Sequence, residues 1–510
     1  MNPPRRRILI AIVTAVVVAV LLAFVPRLLT RPASASANVS STVRLPAPQE
    51  DSPLGQKLAD LRLMNYYPAT AAWTYMWTKW NLPQIDKDFG EIEALGANAV
   101  RLNIEPNTFG FPKPTTTVAG ELAAAIRAAS AHKLTVQLTL FDWWSDYSDT
   151  SDSDAWVNAL LAPYRSDSEI SFIDVKNEID PSDPAAMTWL KHELPVVRQA
   201  AGSVPVTVSV TGPDILGNLA SLKSQLAATP PDFYDVHYYI AAQRALATFE
   251  QAKALVAPTP LFIGETGVST GTGLPTTVAE GNQDLYLRSV EWAARTAGLP
   301  DAAPWILQDI AADAVPSGTE VGRALDYGLY RLDGAAKPAA ASIKGLYQSN
   351  EVSTTINGDF TLGSGTEAAD WRTTLAGGSG TLAWDASIGH NAPGSVSLSD
   401  TTMPTSGAPA FIAAPVLQPT ASGQGFELTA WAEGENATGE NGIAISWFNA
   451  DGGYLSTAES SFLPSGTTSW QQLQVSSTAP SAGAYALIYL KSGGNTGTVR
   501  FDDVAFTAQN

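Results

Sequence analysis

Cysteine is absent from all 510 residues. That absence excludes disulfide scaffolds, thiolate metal sites, cysteine nucleophiles and a lipid anchor on an N-terminal cysteine. Positive charge is scarce, with 30 Lys and Arg against 49 Asp and Glu and a net charge of −19. A polyanionic nucleic acid is therefore a poor partner, and an uncharged or cationic substrate fits better. No internal repeat stands out, and no glycine-rich phosphate loop follows the first strand-like run, which argues against an open nucleotide-binding sheet.

What is present is a folded composition, 45% hydrophobic and 15% charged, on a chain too long for a single core. Only one long hydrophobic run occurs. Arg5, Arg6 and Arg7 precede an apolar stretch from Ile8 to Val25, followed by Pro26 and Arg27. At the helical rise this stretch spans about 27 Å, close to the hydrocarbon thickness of a bilayer. The arginines should stay cytoplasmic and send the rest of the chain outside. Two readings stay open: a retained membrane anchor, or a signal segment cleaved at the small residues 33–37. Either makes residues 1–30 the targeting segment and the body extracytoplasmic, membrane-anchored or secreted. Residues 31–57, rich in Ser, Pro, Ala and Thr, read as a flexible linker.

From Leu61 short apolar runs alternate with stretches of helical pattern. The runs are "LRLMN" (61–65), "NAVRLNI" (98–104), "LTVQLTL" (134–140), "FIDVK" (172–176), "VTVSV" (206–210), "FYDVHYY" (233–239), "PLFIGE" (260–265) and "PWILQ" (304–308). Eight strand–helix units over residues 58–349 match an α/β (β/α)8 TIM barrel. After Asn350 the helical period disappears, and alternating runs such as "FELTAWAE" and "TVRFDDVAF" predict an all-β jelly-roll or sandwich domain over 350–510.

In such a barrel the reacting groups sit at the C-terminal ends of the strands. Those ends carry Asn65, Arg101, Asn103, Asp142, Asn177, Glu178, His237, Tyr239, Glu265, Trp305 and Gln308. Two glutamates close strands four and seven, and paired carboxylates are what glycosidic cleavage needs. The aromatic opening "NYYPATAAWTYMWTKW" reads mostly as a plug beneath the first helix, with one or two rings lining the cleft.

"DVKNEID" resembles the Asn-Glu acid/base motif, and "PLFIGETG" the strand-seven nucleophile motif, of retaining (β/α)8 glycoside hydrolases, most closely family five, the cellulase and β-mannanase group. "LGANAVRLNI", "VHYY" and "PWILQDI" resemble that family's arginine, His-x-Tyr and tryptophan segments. The resemblance implies a retaining endo- or exo-acting β-glycosidase working on a β-linked glucan or mannan. It implies Glu178 as acid/base and Glu265 as nucleophile, the latter held anionic by Arg101 and Tyr239; like charges that close should leave Glu178 the protonated one at rest. Asn177, His237, Trp305, Trp144 and Asn65 would complete the substrate site, and neither metal nor cofactor is called for. The chain departs from the pattern at "LFDWWSD", where Asp142, Trp143 or Trp144 stands in for a histidine, and at Thr266, where a bulky aromatic is usual. Rival readings are a non-catalytic glycan-binding surface protein and a transglycosylase that remodels envelope glycan.

The C-terminal region resembles a jelly-roll carbohydrate-binding module, through "INGDF", "WQQLQV" and "VRFDDVAF". Trp371, Trp384, Trp431, Trp447 and Trp470 are its candidate stacking residues, most of them expected in the core. Asp502 or Asp503 is a candidate for a structural calcium, the plainer reading being two solvated acids that end a strand. A carbohydrate polymer or oligosaccharide is the expected partner, with the membrane if the first segment is kept, and the protein is expected to be a monomer.

Overall fold

A computed structural model describes residues 42–317, 325–353, 357–374, 379–402, 410–413, 423–449, 453–481 and 485–509. The apolar run from Ile8 to Val25 lies outside them. Among the described residues no helix is long and apolar enough to cross a membrane.

Among the described residues, seven parallel strands form the barrel: β1 (Leu63–Asn65), β2 (Ala99–Asn103), β3 (Thr135–Thr139), β4 (Ile170–Asp174), β5 (Val206–Thr207 continuing as Ser209–Val210), β6 (Tyr234–Tyr238) and β7 (Leu261–Thr266). The helices on the outside are α1 (Leu82–Leu95), α2 (Thr116–Ala131), α3 (Thr150–Leu161), α4 (Pro184–Ala201), α5 (Ile215–Gln225), α6 (Ala245–Val256), α7 (Thr276–Thr296) and α8 (Pro338–Ser349). Their boundaries follow local chemistry. Asn81, Thr115, Asp149, Asp183 and Asp214 cap the first five with side-chain oxygens. Proline occupies the first turn of α1, α4 and α8, where its missing N–H costs nothing.

The expected eighth strand is not one. Residues 304–308 make only isolated bridges, Thr266 to Pro304 and Gln308 to Tyr330. Pro304 has no N–H to extend a ladder. The barrel still closes: Trp305 N–H donates to Thr266 O at 2.7 Å, and Leu307 N–H to Asn65 O at 3.2 Å. A second break falls inside β5, whose first half pairs with β4 and second half with β6. There the Ser209 N–H donates to the Asp174 carboxylate instead of to a neighbouring strand.

Part of the stretch read as a flexible linker is ordered. Thr42–Arg44 pairs antiparallel with Glu351–Ser353, and Pro53–Ala59 is a helix capped by Ser52. Arg295 fixes this segment by donating to Pro46 O and to the Asn350 side chain, while Asn350 donates to Leu45 O. Low-periodicity composition hid these long-range partners.

Among the described residues, the C-terminal domain packs two five-stranded antiparallel sheets. One runs β8 (Trp371–Thr374), β11 (Ala410–Ala413), β16 (Tyr485–Gly493), β13 (Glu440–Phe448), β14 (Tyr454–Glu459) in spatial order. The other runs β9 (Thr381–Asp385), β10 (Ser395–Ser399), β17 (Thr498–Gln509), β12 (Gly425–Ala437), β15 (Gly466–Thr478). Strand β12 alternates as a half-buried strand must, with Phe426, Leu428, Ala430 and Ala432 inward. The sandwich meets the barrel at α7, where a Cβ on Gly281 would stand 2.5 Å from the Asp370 carboxylate.

Candidate active site

Strand direction brings the two glutamates together. Glu265 is the penultimate residue of β7, its side chain buried. Glu178 lies four residues beyond β4, in the loop before α4, and adopts a left-handed backbone with φ of 48°. That conformation is sparsely populated for a residue with a Cβ. Two hydrogen bonds hold it: Glu178 N–H donates to Ser209 Oγ at 2.9 Å, and Ile179 N–H to Ser209 O at 3.0 Å.

His237, on β6, joins the pair. Its Nδ1 lies 2.9 Å from Glu178 Oε1 and 3.4 Å from Glu265 Oε1, and the oxygens that the glutamates turn toward it are within 4.8 Å of one another. Tyr239 donates to Glu265 Oε2 at 2.6 Å. Arg101 is fully enclosed and spends its whole fork here. It donates to Glu265 through Nη1, to Asn177 Oδ1 at 2.8 Å through Nη2, and to Thr139 Oγ1 at 2.7 Å through Nε. Asp174 stands 3.5 Å from the guanidinium.

These contacts decide the charges. Burial alone would raise the Glu265 carboxyl, but His237, Arg101 and the Tyr239 hydroxyl outweigh it and hold the group below its usual range. Burial alone would depress His237; the Glu265 charge and the Glu178 hydrogen bond lift it instead, to about 9. At neutral pH the ring is therefore an imidazolium that donates to Glu178.

Below the glutamates, Asp174 is pushed up by burial and held by Arg101, His237 and two donations from Ser209. Asp235 is pushed up to about 7 by burial. Neither carboxylate was singled out from the sequence, although an acid inside an apolar strand run signals a partner of opposite charge. Ser209 carried no signal at all.

Of the other residues expected in the site, Asn177 and Trp305 are half-buried at the mouth. Asn65 is fully buried. It donates to Gly264 O and Pro304 O and accepts from Arg101, so it positions the arginine. Trp144 is also buried, packed on Phe111 with ring centroids 4.5 Å apart. The neighbouring Trp143 is the exposed one of the pair, at 43%. A turn with Phe141 and Trp143 both at positive φ reverses the faces that consecutive residues of a plain strand would show. Gln308 turns away, donating to Glu91 at 3.3 Å.

Asp142, in place of the usual histidine, builds a separate polar node. Its Oδ2 accepts from Asn103 at 3.3 Å and from the Tyr67 hydroxyl at 3.4 Å, and Asn103 also donates to Tyr67 at 2.9 Å. Tyr67 stacks on Trp73 and meets Trp305 edge-on. Within the aromatic opening Tyr66, Tyr67, Trp73 and Trp77 are buried, as a plug requires, while Tyr75 and Trp80 are half-buried.

In the sandwich, Trp371 and Trp447 are core, and Trp384 donates to Phe360 O. Trp431 and Trp470 are half-buried and share a cluster with His390, which stacks on Trp431 with centroids 3.9 Å apart. Asp502 and Asp503 lie inside β17 and do not end it. Asp502 accepts the backbone N–H groups of His390 and Asp503, and Asp503 accepts from the side chains of His390 and Asn391.

Residues 64–297 match the family described as cellulase, glycosyl hydrolase family 5. No curated protein matches the chain. Among solved structures, a GH5_18 protein from Streptomyces cattleya in complex with GlcNAc is 17% identical, with 57% of this chain and 80% of that one covered and a TM-score of 0.47. A GH5_18 protein from Bifidobacterium longum subsp. longum is also 17% identical, with 56% and 78% covered and a TM-score of 0.46. An exo-β-1,4-mannosidase from Opitutaceae bacterium strain TAV5 is 19% identical, with 57% and 59% covered and a TM-score of 0.46. The protein is a glycoside hydrolase, and its barrel matches glycosyl hydrolase family 5 over residues 64–297.

Proposed function

We propose that the barrel is a retaining β-glycosidase that cleaves a β-linked glucan or mannan, as polymer or oligosaccharide, by double displacement. The observation that carries this reading is the convergence of Glu178 and Glu265 on one His237 nitrogen, with their facing oxygens within 4.8 Å. Retaining pairs stand about 5–5.5 Å apart, whereas inverting pairs leave room for a water at about 6.5–9.5 Å.

Glu265, ionised by Arg101 and Tyr239, attacks the anomeric carbon as the glycosidic oxygen departs. Glu178 gives that oxygen its proton, which His237 Nδ1–H supplies along the hydrogen bond they share. A glycosyl ester on Glu265 results. Glu178, now a carboxylate, takes a proton from water, the water oxygen attacks the anomeric carbon, and Glu265 leaves. Asn177, oriented by Arg101, is placed to hydrogen-bond a hydroxyl next to the reacting carbon, and the half-buried Trp305 offers its face to the ring. If a sugar hydroxyl replaces water in the second step, the same residues run transglycosylation; products formed with added acceptor distinguish the two.

The test is Glu265→Gln and Glu178→Gln beside wild type on glucan and mannan panels. The reading expects Glu265→Gln to abolish turnover while glycan binding persists. A fully active Glu265→Gln enzyme would refute it.

The sandwich is proposed to bind glycan through the Trp431, His390 and Trp470 cluster, which is supported by half-exposed rings beside polar Asn391 and Asp503 on a sheet's outer face. The arginine-led apolar segment before residue 26 supports an extracytoplasmic location for both domains.

A further inference from the structure

On the outside of the barrel, α3 and α4 pack along a seam. Buried Trp189 of α4 donates to buried Ser153 of α3 at 3.2 Å and fixes their register. One step along the seam, Asp154 of α3 faces His192 of α4, with Oδ1 and Nε2 2.8 Å apart. The next residue on α4, Glu193, is fully buried, and neither of its carboxylate oxygens has a hydrogen-bond partner. A buried carboxyl group without a donor is expensive, and buried polar groups are almost always satisfied. The Glu193 oxygen is not aimed into hydrocarbon alone. It lies within 4.8 Å of both the Asp154 carboxylate and the His192 imidazole, which form the solvent-facing rim above it.

We infer that Asp154, His192 and Glu193 form a site for a divalent transition-metal ion of the zinc type, clamping α3 to α4. One imidazole nitrogen and two carboxylate oxygens suit zinc better than calcium or magnesium, which favour oxygen alone. Zinc–ligand bonds of about 2.0–2.2 Å place ligand atoms about 3.4 Å apart in a tetrahedron, so small side-chain rotations from the present spacings suffice. Water takes the fourth position on the exposed rim. The site is separate from the catalytic glutamates, yet both helices follow directly from cleft loops: α3 from the loop of Asp142 and Trp143, α4 from that of Asn177 and Glu178. A clamp there would stiffen both loops.

The experiment is calorimetric titration of zinc chloride into the tag-free, chelator-treated full chain, beside His192→Ala and Glu193→Gln, with thermal melts of each protein with and without zinc. Glu193→Gln keeps the side-chain shape, so it serves as the folding-neutral variant if His192→Ala does not fold. The inference expects one zinc per chain, a higher melting temperature with zinc in wild type, and affinity weakened about tenfold or more in each variant. Absence of stoichiometric binding in wild type would overturn it. So would wild-type affinity in both variants, which would move the bound ion to another surface group such as His132 with Glu93.

Discussion

At the scale of single residues, Arg101 is the hinge of the account. It is enclosed and bonded to Glu265, Asn177, Asn65 and Thr139, with Asp174 beside it. Arg101→Met would leave two buried carboxylates uncompensated, and breaking a buried pair costs about 3–5 kcal/mol. The expected outcome is a fall of that size in urea-unfolding stability together with loss of turnover. Arg101→Lys should recover part of the stability but little activity, because a point charge cannot reproduce the fork. His237 supplies a pH prediction. Its folded pKa, raised to about 9 from an ordinary 6.5, means that its contribution to stability is complete below about 6.5 and lost as pH rises through about 9. Activity should fall along the same basic limb, and His237→Gln should flatten the pH dependence of the urea midpoint between 7 and 10. An unchanged slope would place the titrating group elsewhere.

Which residues were legible depended on whether period alone fixes their direction. Glu178, Glu265, Arg101, His237 and Tyr239 follow apolar runs long enough to locate the strand ends, and the structure gathers all five. Asn65 and Trp144, expected at the cleft surface, are buried instead, because direction at a strand end depends on the turn that follows. The positive-φ residues Phe141 and Trp143 redirect that loop. Asp174 was hidden by its position within a run that reads as apolar, and Ser209 by the break in β5, which no local pattern announces.

At the scale of elements, the loop that carries Glu178 is anchored at one end by Ser209 and at the other by the start of α4. Asp183 caps that helix, its carboxylate accepting from Ala185 and Ala186 N–H at 2.9 and 3.3 Å. Asp183→Ala should cost about 1 kcal/mol of stability, as N-cap losses do, read as a lower urea midpoint. Ser209→Ala should cost more activity than stability, because it frees the Glu178 backbone and strips a donor from Asp174. Its signature would be a lower kcat with KM little changed. A change in KM alone would mean that Ser209 does not position the glutamate. The helices were readable because their caps and first-turn prolines are local. The eighth strand was not, because it closes the barrel through scattered hydrogen bonds on either side of Pro304.

At the scale of the whole molecule, an aromatic cluster on the sandwich accompanies the barrel, and the strand pair Thr42–Arg44 with Glu351–Ser353 ties the two ends of the barrel region together. Sequence placed the change of texture near Asn350 but could not sort the tryptophans, since alternation shows that two faces exist and not which one is covered. Trp470→Ala should lower retention of the full chain on insoluble glucan or mannan; unchanged retention would remove the cluster from the binding surface. The central claim concerns two carboxylates acting on one linkage. Its most direct measurement is mass spectrometry of the full chain after incubation with activated 2-deoxy-2-fluoro-β-glucosides and β-mannosides, followed by peptide mapping. The account predicts one fluorosugar per chain, esterified to Glu265. A sugar attached to any other side chain, or turnover to an anomerically inverted product, would contradict it.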